Sequence, residues 1–229
     1  MVMMEYFLPI IALLIFLSCI FISVYSFYKA IRSFIGKNIW QGVRNLLLSL
    51  LLGFIVFSVV IAVNGARERS RRCLCSNHLM NIVLFLKMYA ADHQETYPDT
   101  FNGLMGDYVK PTDTPVFVCP SSHHKNGSLT NIHEWTDYAY VSGLSEADPP
   151  CVVAFCLPEN HRGEGASVAF LGGNVQWYSC TPYKDSTGKF QPTFQDLTNT
   201  PSLFYGTTDE NKLADLKKRT RIIYPKKVK

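Results

Sequence analysis

The chain has 229 residues, 48% of them hydrophobic, and a formal net charge of +4. Those averages would suit one soluble domain of moderate size, but the apolar residues crowd into the first 63 positions, which excludes a uniformly soluble chain. The modest charge, carried partly by a basic tail with no interleaved aromatic platform, gives no footing for nucleic-acid binding.

From Tyr6 to Phe27 the run YFLPIIALLIFLSCIFISVYSF is uncharged, and so is NLLLSLLLGFIVFSVVIAV from Asn45 to Val63. Each matches the roughly 20 residues that carry a helix across a bilayer core. The first run follows Glu5 rather than a basic start, exceeds a signal peptide's apolar length and lacks an A-x-A-like site, so it reads as a retained helix. The connector holds Lys29, Arg32, Lys37 and Arg44, which places it in the cytoplasm by the positive-inside rule. Arg67, Arg69, Arg71 and Arg72, offset only by Glu68, follow the second run and pull the other way.

Beyond Val63 no proline interrupts the chain until Pro98, and Leu79, Val83, Leu86 and Ala90 recur at helical spacing, with Ile82, Phe85 and Tyr89 widening the stripe. The second membrane helix is therefore expected to run on as an amphipathic helix, ending near Asp92 to Glu95 because Pro98 disfavours helix before it. One short helical turn is expected in FNGLMGDYV, then a loop with a brief strand at Val116 to Cys119. Strands follow at Asp137 to Gly143 and Cys151 to Cys156, and SVAFL and VQWYSC form a hairpin about Gly172, Gly173 and Asn174. After Cys180 the pattern weakens into an irregular segment. A late helix is expected over Asp209 to Arg219, where Thr207 and Glu210 fit a capping box.

The expected organisation is thus a first transmembrane helix at 1–28, a basic cytoplasmic loop at 29–44, a second transmembrane helix at 45–63, an extracytoplasmic domain at 64–180 and an irregular extension with a short helix and basic tail at 181–229. The fold class is α+β and membrane-anchored, with the second helix continuing over a small antiparallel β-sheet. Six cysteines lie in the polar part: Cys73, Cys75, Cys119, Cys151, Cys156 and Cys180. An even number suits disulfides in an oxidising compartment, without fixing their connectivity.

From Leu46 to Tyr178 the landmarks stand in one order. They are Arg71-Arg72, Cys75 to Leu79 as CSNHL, Tyr89, Asp92, Tyr97-Pro98, FVCPS from Phe117, Asn160-His161-Arg162-Gly163 and VAFLGGNVQW from Val168. In this order the chain resembles the pseudopilin-like proteins of planctomycete and related bacteria, akin to type II secretion pseudopilins and type IV pilins. The resemblance rests on Asn77, Leu79, Tyr89, Asp92, Pro98, Pro120, Asn160, His161 and Gly173 among other positions. It implies a membrane helix continuous with the helix that packs on the sheet, arginines at the lipid headgroup boundary, and Cys75 just above the membrane, paired with Cys119. Such a disulfide would contribute roughly 4 kcal/mol in the chain-entropy account. Two departures stand out. No prepilin leader precedes Leu46, an extra membrane helix standing in its place, and the family's closing D-G-H has Gly172 and Asn174 at its Asp and His.

The function these readings imply is a non-enzymatic interaction or assembly component of an envelope or secretion-type complex. Its expected location is the bacterial inner membrane, multi-pass, with the outer domain periplasmic. Its partners would be the lipid bilayer, itself or secretion and pilus proteins, and it would need no cofactor. The alternative is a metal- or thiol-binding protein, since Cys119 with His123 and His124, and Cys156 with His161, have spacings that could chelate zinc. No G-x-S-x-G, H-E-x-x-H or phosphate-binding glycine loop points to catalysis.

Overall fold

The computed structural model describes residues 39–122, 127, 131–187 and 189–226, with separate positions between 22 and 32. The first expected membrane helix and the start of the connector lie largely outside the described residues, as do His123 and His124.

Helix α1 runs without a break over Ile39–Asp92. Its apolar stretch from Leu46 is long and apolar enough to cross a membrane, and none of that stretch is buried by the protein. Among the described residues it is the one helix that meets this measure. Within the run the Ser58 hydroxyl donates to the Phe54 carbonyl at 2.9 Å, so the hydroxyl carries its own acceptor in an apolar setting. By compactness the chain divides into two units, Met1–Arg67 and Glu68–Lys229.

In the second unit the helix buries Cys75, Leu79, Ile82, Val83, Leu86 and Ala90. These i, i+3, i+4 positions form one face, as the sequence periodicity required. The helix stops at Asp92, where Gln94 and Glu95 turn the chain through the left-handed region.

The buried face lies in one core with a five-stranded sheet of order β4-β3-β2-β1-β7, every pair antiparallel. The strands are β1 (Tyr138–Ser142), β2 (Val152–Cys156), β3 (Gly165–Phe170), β4 (Val175–Ser179) and β7 (Arg221–Ile223). β1, β2 and β3 agree with the expected strands, and β3 with β4 forms the expected hairpin, turning at Gly173 with φ +90°. All residues of β1, β2 and β3 are buried because both sheet faces are covered. Tyr138, Cys156 and Ser167 share the face under α1, whereas Phe155 on the opposite face meets Phe194 and Tyr224.

That opposite cover corrects the reading of 181–229 as irregular. Strands β5 (Tyr183–Lys184) and β6 (Phe190–Gln191) pair, and helices α3 (Phe194–Asn199), α4 (Pro201–Phe204) and α5 (Glu210–Arg219) follow. Leu197, Phe204 and Leu216 enter the core, and β7 adds to the edge of β1. The extension therefore completes the sheet domain. α3 begins at a Thr193–Asp196 capping box, and α5 is capped by Asp209 rather than Thr207, its carboxylate accepting from the Asn211 and Lys212 amides. Gly143, at φ +79°, lets the chain before β7 approach closely, since a Cβ there would stand 2.3 Å from the Arg219 carbonyl.

The strand expected at Val116 to Cys119 is absent. Residues Pro111–Phe117 form a 3-10 turn instead, with prolines at 111 and 115, and a short helix α2 (Ile132–Trp135) follows. The Phe117 carbonyl accepts from the Asp137 amide at 3.1 Å and the Thr136 hydroxyl at 3.0 Å, so its partners are a loop and a side chain. The expected turn after Pro98 is present as a 3-10 turn at Phe101–Leu104.

Candidate metal centre

Four elements bring four donor side chains to one point. Cys75 comes from α1, and Cys119 follows the Pro111–Phe117 turn. Cys156 ends β2, and His161 ends the 3-10 turn Pro158–His161. Their donor atoms all lie within 4.8 Å of one another, and all four residues are buried. The Cys119 Sγ to His161 Nε2 separation is 3.5 Å.

Each donor is held by local structure. Glu68 and Cys75 stand seven residues apart on α1, two helical turns, and so share a face. The Cys119 amide donates to Asp137 Oδ2 at 2.9 Å, which fixes the loop ahead of Pro120. Pro158 opens the turn that carries His161, and Arg162 ends it in the left-handed region at φ 58°. The Asn160 amide nitrogen donates to the Asp137 carbonyl at 3.2 Å and to Cys156 Sγ at 3.4 Å. The Tyr138 hydroxyl reaches Cys75 Sγ at 3.6 Å.

Behind the imidazole stands a carboxylate. His161 Nδ1 is 2.9 Å from Glu68 Oε1, and Ser121 Oγ donates to the same carboxylate at 3.2 Å. His161 is fully buried and packs perpendicular to the Trp177 ring at a ring separation of 5.1 Å. The Arg72 guanidinium lies 4.4 Å from the Trp177 ring centre and pairs with Glu164.

The charges of the cluster follow from this packing. Hydrogen bonds from the Cys119 and Cys156 thiols hold Cys75 well below the ordinary thiol range, against the effect of burial, whereas burial first and its sulfur neighbours next push Cys156 well above it. Burial works against the charge of Glu68, but His161 and Ser121 bonding to it win and lower its pKa. Burial likewise opposes a charged His161, and its bonds to Cys119 and Glu68 raise its pKa in spite of it. Cys75 thus gives up its proton readily while Cys156 holds its own, the behaviour of neighbouring acids that repel once ionised. A cation among the sulfurs would reverse that balance.

The expected disulfides are not formed: all six cysteines of the polar part are free. Cys75 and Cys119 do meet, but beside a third sulfur and an imidazole. Cys73 is exposed, Cys151 is buried outside the cluster with its thiol pushed up to about 12 by burial, and Cys180 is half-buried. Of the proposed chelating pairs, Cys119, Cys156 and His161 come together. Cys75, expected in a disulfide, is the fourth donor, and Glu68 had no expected role at all. A sequence signal for it existed only in its seven-residue spacing from Cys75.

The remaining landmark residues lie outside the cluster. Leu79 is core, Tyr89 stacks on His93, and the Asp92 carboxylate accepts from the Tyr108 hydroxyl at 2.9 Å. The Pro98 carbonyl accepts from Tyr140 at 2.7 Å, Asn77 is exposed and Pro120 is half-buried. Of the four arginines, Arg67 and Arg69 are exposed and Arg71 is partly so. Arg72, also expected at the headgroup boundary, has its guanidinium engaged with Trp177 and Glu164. No family model matches the chain, and no curated protein or solved structure matches it either.

Proposed function

We propose that this chain is a non-enzymatic, membrane-anchored, pseudopilin-like protein that acts as an interaction or assembly component of an envelope or secretion-type complex. The observation that carries the reading is α1, whose apolar stretch is exposed from Leu46 on and whose later turns form the core of an α+β domain. Such a helix offers an anchor and a displayed domain in one element. The pilin resemblance supports the same arrangement, and the first apolar run would add a second span.

The periplasmic side is supported by the basic connector alone. Free cysteines remove the argument from disulfides. Protease protection in right-side-out and inverted vesicles tests the side: a periplasmic domain is cut only in the former.

The assembly role is tested by photo-crosslinking in intact cells with the probe at Phe57 or Val60, both exposed in the apolar stretch. Self-adducts, or adducts to secretion or pilus components, are expected. Contact with the first apolar run alone would mean a static anchor and end the assembly reading.

A further inference from the structure

We infer that Cys75, Cys119, Cys156 and His161 bind one zinc(II) ion as a closed structural centre, with Glu68 as the positioning residue that orients the imidazole. The inference stands apart from the assembly role, since a metal centre in the sheet domain requires neither a filament nor a partner.

Donor type is the first argument. Three sulfurs and one imidazole nitrogen select a soft or borderline metal and disfavour calcium and magnesium, which take oxygen. Cys3His is an established donor set for structural zinc.

Spacing is the second. With Zn–S near 2.3 Å and Zn–N near 2.0 Å, a tetrahedron has a sulfur-to-nitrogen edge of about 3.5 Å. The Cys119 Sγ to His161 Nε2 distance is 3.5 Å, and no pair of the four donors exceeds 4.8 Å. The widest separation needs to close by at most about 1 Å to reach the sulfur-to-sulfur edge of about 3.8 Å that the same tetrahedron sets.

The surrounding shell is the third. A metal-bound histidine ordinarily gives its other ring nitrogen to a carboxylate or carbonyl, and here Nδ1 meets Glu68 while Nε2 faces the sulfurs. Tyr138 and Asn160 donate to two of the sulfurs, which would moderate the negative charge of three thiolates around a divalent ion. Packing alone accounts for buried cysteines, but it gives no reason to place a buried imidazole, backed by a carboxylate, against three of them.

Burial assigns the role. The four residues are each 0 to 1% exposed, so no open position remains for water or substrate. The ion would tie α1 to β2 and to the loops at Cys119 and His161. Three regions far apart in sequence, around 75, 119 and 156–161, would thereby be fixed by one ligand sphere.

Metal analysis and X-ray absorption on the full chain, purified in detergent from zinc-supplemented cells, test this. The expected result is one zinc per chain, with three sulfurs near 2.3 Å and one nitrogen near 2.0 Å. Substoichiometric zinc, stoichiometric iron or an oxygen-rich shell overturns the inference. So does a Cys75–Cys119 disulfide, seen as two thiols that resist alkylation until reduction. C73S and C180S are expected to keep the metal while C75S and H161A lose it, and retention in C75S or H161A would refute the ligand set. Because ligand variants risk unfolding, Glu68→Gln supplies a conservative check. Chelator competition should show zinc affinity lowered by about 10–100-fold, and unchanged affinity would remove Glu68 from the assignment.

Discussion

Within helix α1, the stretch from Leu46 to Val63 and the stretch from Cys75 to Ala90 are both rich in apolar residues, and the protein treats them oppositely. Leu47, Leu50, Phe54 and Phe57 are each more than 60% exposed, whereas Leu79, Ile82 and Leu86 are completely buried. In the first stretch apolar residues occupy the whole circumference, the pattern of a helix whose solvent is lipid. In the second the buried apolar residues occupy one face, while the other carries Asn77 and Asn81 beside the exposed Leu74, Met80, Leu84 and Met88. Periodicity, more than apolar content, tells a bilayer-facing helix from a core-facing one.

The largest expected effect comes from the buried face. Leu86→Ala should cost about 2–5 kcal/mol of domain stability, the range for emptying a core leucine site. Leu84→Ala, at an exposed position on the same helix, should stay within about 0.5 kcal/mol. Denaturant unfolding of the full chain in detergent, followed by tryptophan fluorescence, measures both. Equal losses would mean that the exposed face is covered too.

Next is the exposed apolar stretch. Phe57→Arg should make insertion less favourable by about 2.5–3.5 kcal/mol while leaving the domain's unfolding midpoint in place. Membrane fractionation and alkaline extraction read the first effect, and the fluorescence transition reads the second. A mutant that extracts no more readily than the parent would show that this stretch does not span.

These elements differ in how far the sequence betrayed them. The helix was legible because its partners recur every three or four residues. β1, β2 and the β3–β4 hairpin were legible from short apolar runs bounded by turn residues. The C-terminal cover was not, because α3 and α4 are too short to show a period and owe their place to packing of Phe194, Leu197 and Phe204. The turn at Pro111–Phe117 was misread from the apolar content of Val116 to Cys119 when its prolines argued otherwise. The cluster of four donors was half legible. Cys156 and His161 lie near each other in sequence, but Cys75 and Cys119 join them only through the tertiary fold, so no local spacing could announce the set.

A third test concerns the edge where the C-terminal cover meets the sheet. Arg219 pairs with the mostly buried Asp148 and also donates to the Gly143 carbonyl, so Arg219→Ala should cost about 1.5–3 kcal/mol, the range for bonds to charged groups. Its other partner, Asp215, is 67% exposed, and Asp215→Ala should change stability by less than about 1 kcal/mol. If the two variants lose the same amount, the docking of α5 and β7 does not depend on Asp148.

The smallest effect lies where the two stretches of α1 meet, among the arginines. Arg69 is exposed and free to reach anionic headgroups, a contribution of about 1 kcal/mol per residue near a charged surface. Arg72 lies one helical turn further on, and Trp177 and Glu164 engage it. Glu164 is half-exposed and Glu68, one turn back, stands 3.9 Å from the guanidinium Nε, so the ion pairs contribute little and the stacking on Trp177 is the larger contact. Arg72→Ala should therefore lower domain stability by about 0.5–2 kcal/mol, with Arg72→Lys recovering part of the loss because an ammonium lacks the planar stacking face. Arg69→Ala should leave stability alone. Labelling of the full chain by a photoreactive anionic lipid in bilayers should reverse the ranking, falling in Arg69→Ala and holding in Arg72→Ala. Equal loss of labelling in both would place Arg72 at the headgroups and move the end of the membrane-facing stretch at least one turn along the helix.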